Sequence, residues 1–210
     1  MYTEYYINNI DENDTEIKRS IQDLVDCTTI KNVVTLSYHT KLIKKFFPQL
    51  FVGAFVDYPI SNTDLSRRQD LISDALKNDI SCIAISTPAY LLVNRKYEKL
   101  RDDIKKNLDL CGQNIELRYI LEYRKFDHQL MAKVCDVLIS CGIKTVYPSS
   151  GFFLDSLEDN ILACSYLKQK TGINTIINGN CWNSDHIKKI KKSNLYGFSG
   201  NTINTLRNIN

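Results

Sequence analysis

Short runs of apolar and β-branched residues alternate along this chain with longer stretches whose apolar positions recur every three to four residues. That is the pattern of β-strands interleaved with amphipathic helices. Strands are predicted over 33–37, 50–56, 81–87, 115–122, 142–147, 173–177 and 195–198, with a vestigial first strand at 24–30. Helices are predicted over 15–25, around 42–47, and over 62–76, 100–111, 127–138, 156–170 and 183–193, with a last one from 201. Thr15 is the expected cap of the first helix, in which Ile17, Ile21, Leu24 and Val25 share one face. In the strand at 115–122, alternation places Arg118, Ile120 and Glu122 on one face.

Strands separated by helices of ten to fifteen residues mean βα units and a parallel sheet. Counting the segment at 24–30 as the first strand gives eight, so a (β/α)8 TIM barrel is expected. An open flavodoxin-like sheet is disfavoured because no glycine-rich nucleotide loop follows the first strand. Almost nothing separates the segment at 24–30 from the strand at 33–37, while a parallel crossover needs about a dozen residues. The barrel is therefore expected to be trimmed near its first βα unit. The flank around 33–36 would then be covered by the helix at 16–25 or by a second subunit. Residues 1–14, rich in Asn, Asp and Tyr, read as a flexible N-terminal arm, and residues 15–210 as the barrel.

Composition narrows the function classes. A net charge of +3, from 27 basic and 24 acidic residues, gives no reason to expect nucleic acid or an anionic membrane as a partner. The lysines at 188, 189, 191 and 192 read as the solvated face of a helix. Seven cysteines without Cys-x-x-Cys spacing read as reduced core residues. Together with a start that lacks a signal sequence and no apolar run long enough to span a membrane, they point to a cytoplasmic protein. His39, His128 and His186 lie far apart without ligand spacing, so no metal and no other cofactor is expected.

The most informative stretch is 142–151, Gly-Ile-Lys-Thr-Val-Tyr-Pro-Ser-Ser-Gly: a strand running into a Ser/Gly loop, as at the carboxyl end of a barrel strand. It resembles the Schiff-base strand of deoxyribose-phosphate aldolases, which ends in Lys-Thr-Ser-Thr-Gly. Three other pieces resemble the same family in the same order. Residues 26–31, Asp-Cys-Thr-Thr-Ile-Lys, are similar to its first-strand motif. Residues 52–59 are similar to its Val-Val-Gly-Phe-Pro strand with Asp57 at the glycine, and 116–122 to its Leu-Lys-Val-Ile-Ile-Glu strand.

The resemblance implies a class I aldolase barrel, but it places the imine lysine on Tyr147, the second lysine near Ile176 and the proton-shuttling aspartate on Ala84. A phenol forms no imine, and Ile and Ala carry no exchangeable proton. Lys144 is expected to face the helix layer, and Lys31 is the nearest substitute nucleophile. The candidate catalytic residues are Tyr147, Asp26, Glu122, Arg118 and Lys31, with Cys27 as a further nucleophile. Arg118 and Glu122 form either a structural ion pair filling the barrel or, with Asp26, a binding mouth.

Phosphate in the family is held by loop amides, which correspond here to Gly151, Gly179, Ser199 and Gly200, crowded by Trp182 and Phe198. The reading is a diverged aldolase-like protein without class I activity. It is expected to bind a phosphorylated sugar, or a protein partner or second copy of itself. The alternative is a lyase-type enzyme acting on a phosphorylated sugar or aldehyde with relocated catalytic residues.

Overall fold

The computed structural model describes every residue except Leu154, Gly179, Asn180, Trp182 and Asn210. Eight parallel strands close into a barrel in chain order: β1 (Tyr2–Ile7), β2 (Asn32–Leu36), β3 (Phe51–Val56), β4 (Cys82–Ser86), β5 (Glu116–Ile120), β6 (Thr145–Tyr147), β7 (Asn174–Ile177) and β8 (Gly197–Gly200). Between them run α1 (Asp14–Cys27), α2 (Ser37–Phe46), α3 (Leu65–Leu76), the short α4 (Ala89–Val93), α5 (Tyr97–Cys111), α6 (His128–Ser140), α7 (Leu157–Thr171) and α8 (Ser184–Lys192). The last element, α9 (Ile203–Ile209), follows β8. This is the (β/α)8 barrel that the alternation of patterns predicts.

The expected shortening of the first βα unit does not occur, because residues 2–7 are not an arm. They form β1, whose residues pair in parallel with β2 (Tyr5 with Val33) on one side and with β8 (Thr3 with Phe198) on the other. Thr, Tyr and Ile suit a pleated strand, and the alternation is regular. Tyr5 and Ile7 face the helices, while Tyr6 joins the barrel interior. Residues 24–27 belong instead to the last turn of α1, so the likeness of 26–31 to a first-strand motif is not structural. Asn13, rather than Thr15, caps α1, and Glu16 reaches back to the Asn13 amide to complete a capping box. Ile17, Ile21 and Leu24 of this helix pack with Val33, so α1 covers the flank around β2.

Two apolar layers lie between strands and helices, one centred on β3 to β7 and one around β1, β2 and β8. A third group fills the barrel itself: Tyr6, Val34, Leu36, Phe55, Ala84, Ile120, Tyr147 and Ile176. Phe198, expected in the mouth, packs outward with Leu206. Trp182 and Gly179 lie outside the described residues.

Buried charge anchors one flank. Asp57, at the end of β3, has a φ of 51°, a left-handed conformation that glycine holds freely and which explains the glycine-like position read from sequence. Its carboxylate meets Arg68 of α3 at 2.5 Å. The same guanidinium reaches Asp103 of α5 at 3.3 Å, donates to the Ser86 carbonyl at 2.9 Å and is fully buried.

Candidate functional site

Inside the barrel the central polar residue is Arg118, at mid-strand in β5. Its Nη1 donates to Glu4 of β1 at 2.8 Å and to the Tyr147 hydroxyl at 2.9 Å. Its Nη2 donates to Glu116 at 2.6 Å and to the Tyr2 hydroxyl at 3.1 Å. Tyr147 donates in turn to the other Glu4 oxygen at 2.7 Å. Arg118, Glu4 and Tyr147 are all buried. Burial pulls the Arg118 guanidinium toward neutrality, but the groups around it, Glu4 among them, outweigh that and raise its pKa. Burial likewise drives the Tyr147 hydroxyl well above its ordinary range, with Arg118 opposing, so it remains a neutral phenol.

Arg118 therefore pairs with Glu4, which was hidden in the supposed arm, and not with Glu122. The two residues expected to converge sit at different depths. Asp26 and Lys31 are farther still. Both are exposed, at the end of α1 and just before β2, which is the amino end of the parallel barrel, opposite the mouth. Cys27 is exposed beside Asp26 at that same end. All lysines lie among the described residues and none is buried; Lys144, next to the start of β6, is exposed.

At the carboxyl ends of the strands, Tyr58 lies over the centre of the mouth among the described residues. The Tyr58 hydroxyl donates to the Ser150 carbonyl at 2.8 Å and accepts from the Asn8 amide at 2.8 Å. Its ring stacks on Phe55 at 4.6 Å, with Phe152 edge-on at 6.3 Å. Beneath this cover lies the apolar interior group with Ala84, Tyr147 and Ile176.

The loop after β6 is held from behind. Ser149, Asp155, Asn160 and Asn178 form a buried hydrogen-bonded cluster, which Tyr123 joins by donating to Asp155. Glu122, two residues past β5, accepts from the Ser150 amide at 2.9 Å and the Ser150 hydroxyl at 2.5 Å. Burial raises its pKa, and the two Ser150 bonds oppose.

Of the loop positions read as phosphate ligands, Gly151, Ser199 and Gly200 lie among the described residues and Gly179 does not. The Ser150 amide is occupied by Glu122. Gly151 has a φ of 72° and lies so close to Tyr6 that a Cβ there would stand 3.3 Å from the Tyr6 hydroxyl. Ser199 is buried in β8 in register with Glu4. A Cβ on Gly200 would meet the Phe198 ring at 2.7 Å and Leu206 at 3.0 Å, so this glycine admits close packing of α9. Glu4, Tyr58, Asn8 and Lys125 escaped the sequence reading. The alternation of Tyr and Thr around Glu4 is the one signal that marked any of them.

By sequence, no family model matches the chain, and no curated protein matches it. By structure it is similar to the aldolase QR15, with a TM-score of 0.88 at 13% identity over 98% of this chain and 92% of that one. It is similar to a putative deoxyribose-phosphate aldolase from Coccidioides immitis, with a TM-score of 0.84 at 12% identity over 98% and 83%. A third likeness is to the tetrameric deoxyribose phosphate aldolase of Aeropyrum pernix, with a TM-score of 0.82 at 10% identity over 98% and 87%. At these identities the likeness is one of fold: the chain is a complete (β/α)8 barrel of the shape that aldolases share.

Proposed function

We propose that this chain is an aldolase-like barrel that works by binding and forms no imine at the end of its sixth strand. The observation that carries the reading is the state of Tyr147. It takes the place where the resemblance puts the imine lysine, it is buried, and its hydroxyl is spent on Glu4 and Arg118. A class I aldolase needs an amine there, a cation to hold that amine neutral and an acid/base group. Ala84 and Ile176, beside Tyr147, supply neither an acid nor a second amine. Tyr58, tied to Ser150 and Asn8 over the end of the barrel, supports the same reading, since it covers the interior among the described residues.

The ligand class is a phosphorylated sugar or a related small anion held at the mouth. A protein partner or second copy of the chain is the other class of occupant. The seven cysteines, all unpaired, suit a cytoplasmic setting. Retro-aldol cleavage of deoxyribose 5-phosphate, followed by acetaldehyde release, tests the proposal. Release no faster than with free lysine is expected, and saturable turnover would overturn it.

One observation favours a second reading, an enzyme with relocated groups. Glu122 is a buried carboxyl of raised pKa at a strand end, the environment of a general acid or base. Under that reading turnover persists and is lost in Glu122→Gln.

A further inference from the structure

Beside Tyr58, the ends of β3, β4 and β5 leave a cavity of about 170 Å3. Its polar lining is Ser86, Thr87, Glu122 and Lys125, and its walls are apolar, Ile60 and Phe126 among them. Glu122 is only 4% exposed, and its two carboxylate oxygens are unequally engaged. Oε2 accepts both Ser150 bonds, while Oε1 is buried with no hydrogen-bond partner among the described residues. Burying an unpaired carboxylate oxygen is costly, and a ligand donor removes that cost. The same residue carries a second strain: its φ is 60°, the left-handed region that a non-glycine residue rarely holds. Both lie at the carboxyl end of a barrel strand, where sites of this architecture are built.

The other polar groups of the cavity fix the ligand's chemistry. The Ser86 hydroxyl is spent as a donor on the Pro59 carbonyl at 3.0 Å, and the Thr87 hydroxyl on the Ile120 carbonyl at 2.6 Å. Each hydroxyl keeps only lone pairs, so with Glu122 these groups are all acceptors and call for a ligand that donates. Lys125 is exposed, with its ammonium 4.9 Å from the centre of the Phe153 ring, and its charge disfavours a cation and favours an anionic end. A water occupies about 30 Å3 of liquid, so the space is that of about five or six waters.

We propose that this cavity binds a small hydroxylated anion of three to five carbons, a hydroxy acid or a polyol phosphate. Its hydroxyl donates to Glu122 Oε1, and its anionic end faces Lys125. The proposal deepens the binding role and rests on it. The groups around the Glu122 carboxyl are the Ser150 hydroxyl and amide, the Arg124 amide, Asp155, Tyr58 and Lys125. A hydroxyl donor stabilises the ionised carboxyl, so affinity is full above the Glu122 pKa and falls as pH drops through it.

The probes are glycerate and glycerol 3-phosphate, with neutral glycerol as control, titrated calorimetrically into the full chain over a pH series. At least one anion is expected to bind saturably below about 10 mM, and glycerol at least about tenfold more weakly. Glu122→Gln replaces a charge-assisted bond by a neutral one, which lowers affinity about tenfold and abolishes the pH dependence. Lys125→Met, on an exposed side chain that leaves the fold undisturbed, brings the anions down to the affinity of glycerol. No saturable binding of either anion, or binding that both variants leave unchanged, would overturn the proposal. Imine trapping reports separately on the binding role: a trapped adduct removes that role, whereas absent binding without an adduct removes only this cavity.

Discussion

Tyr147 and Glu122 carry opposite kinds of burial. Tyr147 is a neutral phenol with every hydrogen-bonding need met, so Tyr147→Phe leaves Arg118 and Glu4 each one partner short. That is expected to cost about 1–3 kcal/mol in urea unfolding. Glu4→Ala is expected to cost more, about 3–5 kcal/mol, because it strips the buried guanidinium of its buried carboxylate. Equal, negligible effects would mean that the network is ornamental.

Glu122 bears on pH. Burial raises its folded pKa, so the folded state binds more protons than the unfolded one between the unfolded value, about 4.3, and the raised value. Its contribution to stability is therefore lost as pH rises through that window. Glu122→Gln is expected to flatten the fall, gaining on the native protein with rising pH. A difference that stays constant with pH would contradict the assignment. Nothing in the sequence distinguished these two residues by environment, because Glu4 and Ser150, their partners, lie 143 and 28 positions away.

Among the elements, β1 bears most on what could be read in advance. Seven of eight strands were legible because their apolar residues come in short runs, mostly β-branched or aromatic, between helical stretches. Tyr2–Ile7 was not, because Tyr2 and Glu4 turn inward to the buried Arg118 group and its neighbours in sequence are Asn and Asp. The segment at 26–31 drew the first-strand reading away from it by local likeness alone. Since β1 bonds to both β2 and β8, its amides are expected to exchange with solvent as slowly as those of β2. Exchange within seconds would restore the flexible arm.

The Arg68 anchor joins α3 and α5 to the end of β3. Arg68→Ala would leave Asp57 and Asp103 buried without their cation, a loss of about 3–5 kcal/mol. Arg68→Ala with both aspartates made Asn is expected to recover part of that loss. No recovery would place the cost in packing.

At the scale of the whole molecule, the order of strands and the closure of the barrel follow from the βα alternation, and the likeness to aldolase structures lies at the same level. The site was less legible. Sequence order placed Asp26, Lys31, Arg118 and Glu122 near one another by analogy. Parallel topology sends the first two to the amino end of the barrel, and strand depth separates the other two. What joins the interior is one hydrogen-bonded group running from Tyr2 and Glu116 through Arg118 and Glu4 to Tyr147, with an apolar layer and Tyr58 above it.

The central claim is that this interior holds no imine-forming amine, and reductive trapping tests it most directly. The chain is incubated with acetaldehyde or deoxyribose 5-phosphate and borohydride, then mapped by mass spectrometry. The account predicts only scattered, substoichiometric modification of the exposed lysines. One stoichiometric adduct on a single lysine, Lys125 at the mouth foremost, that disappears when that lysine is replaced by Met would contradict it.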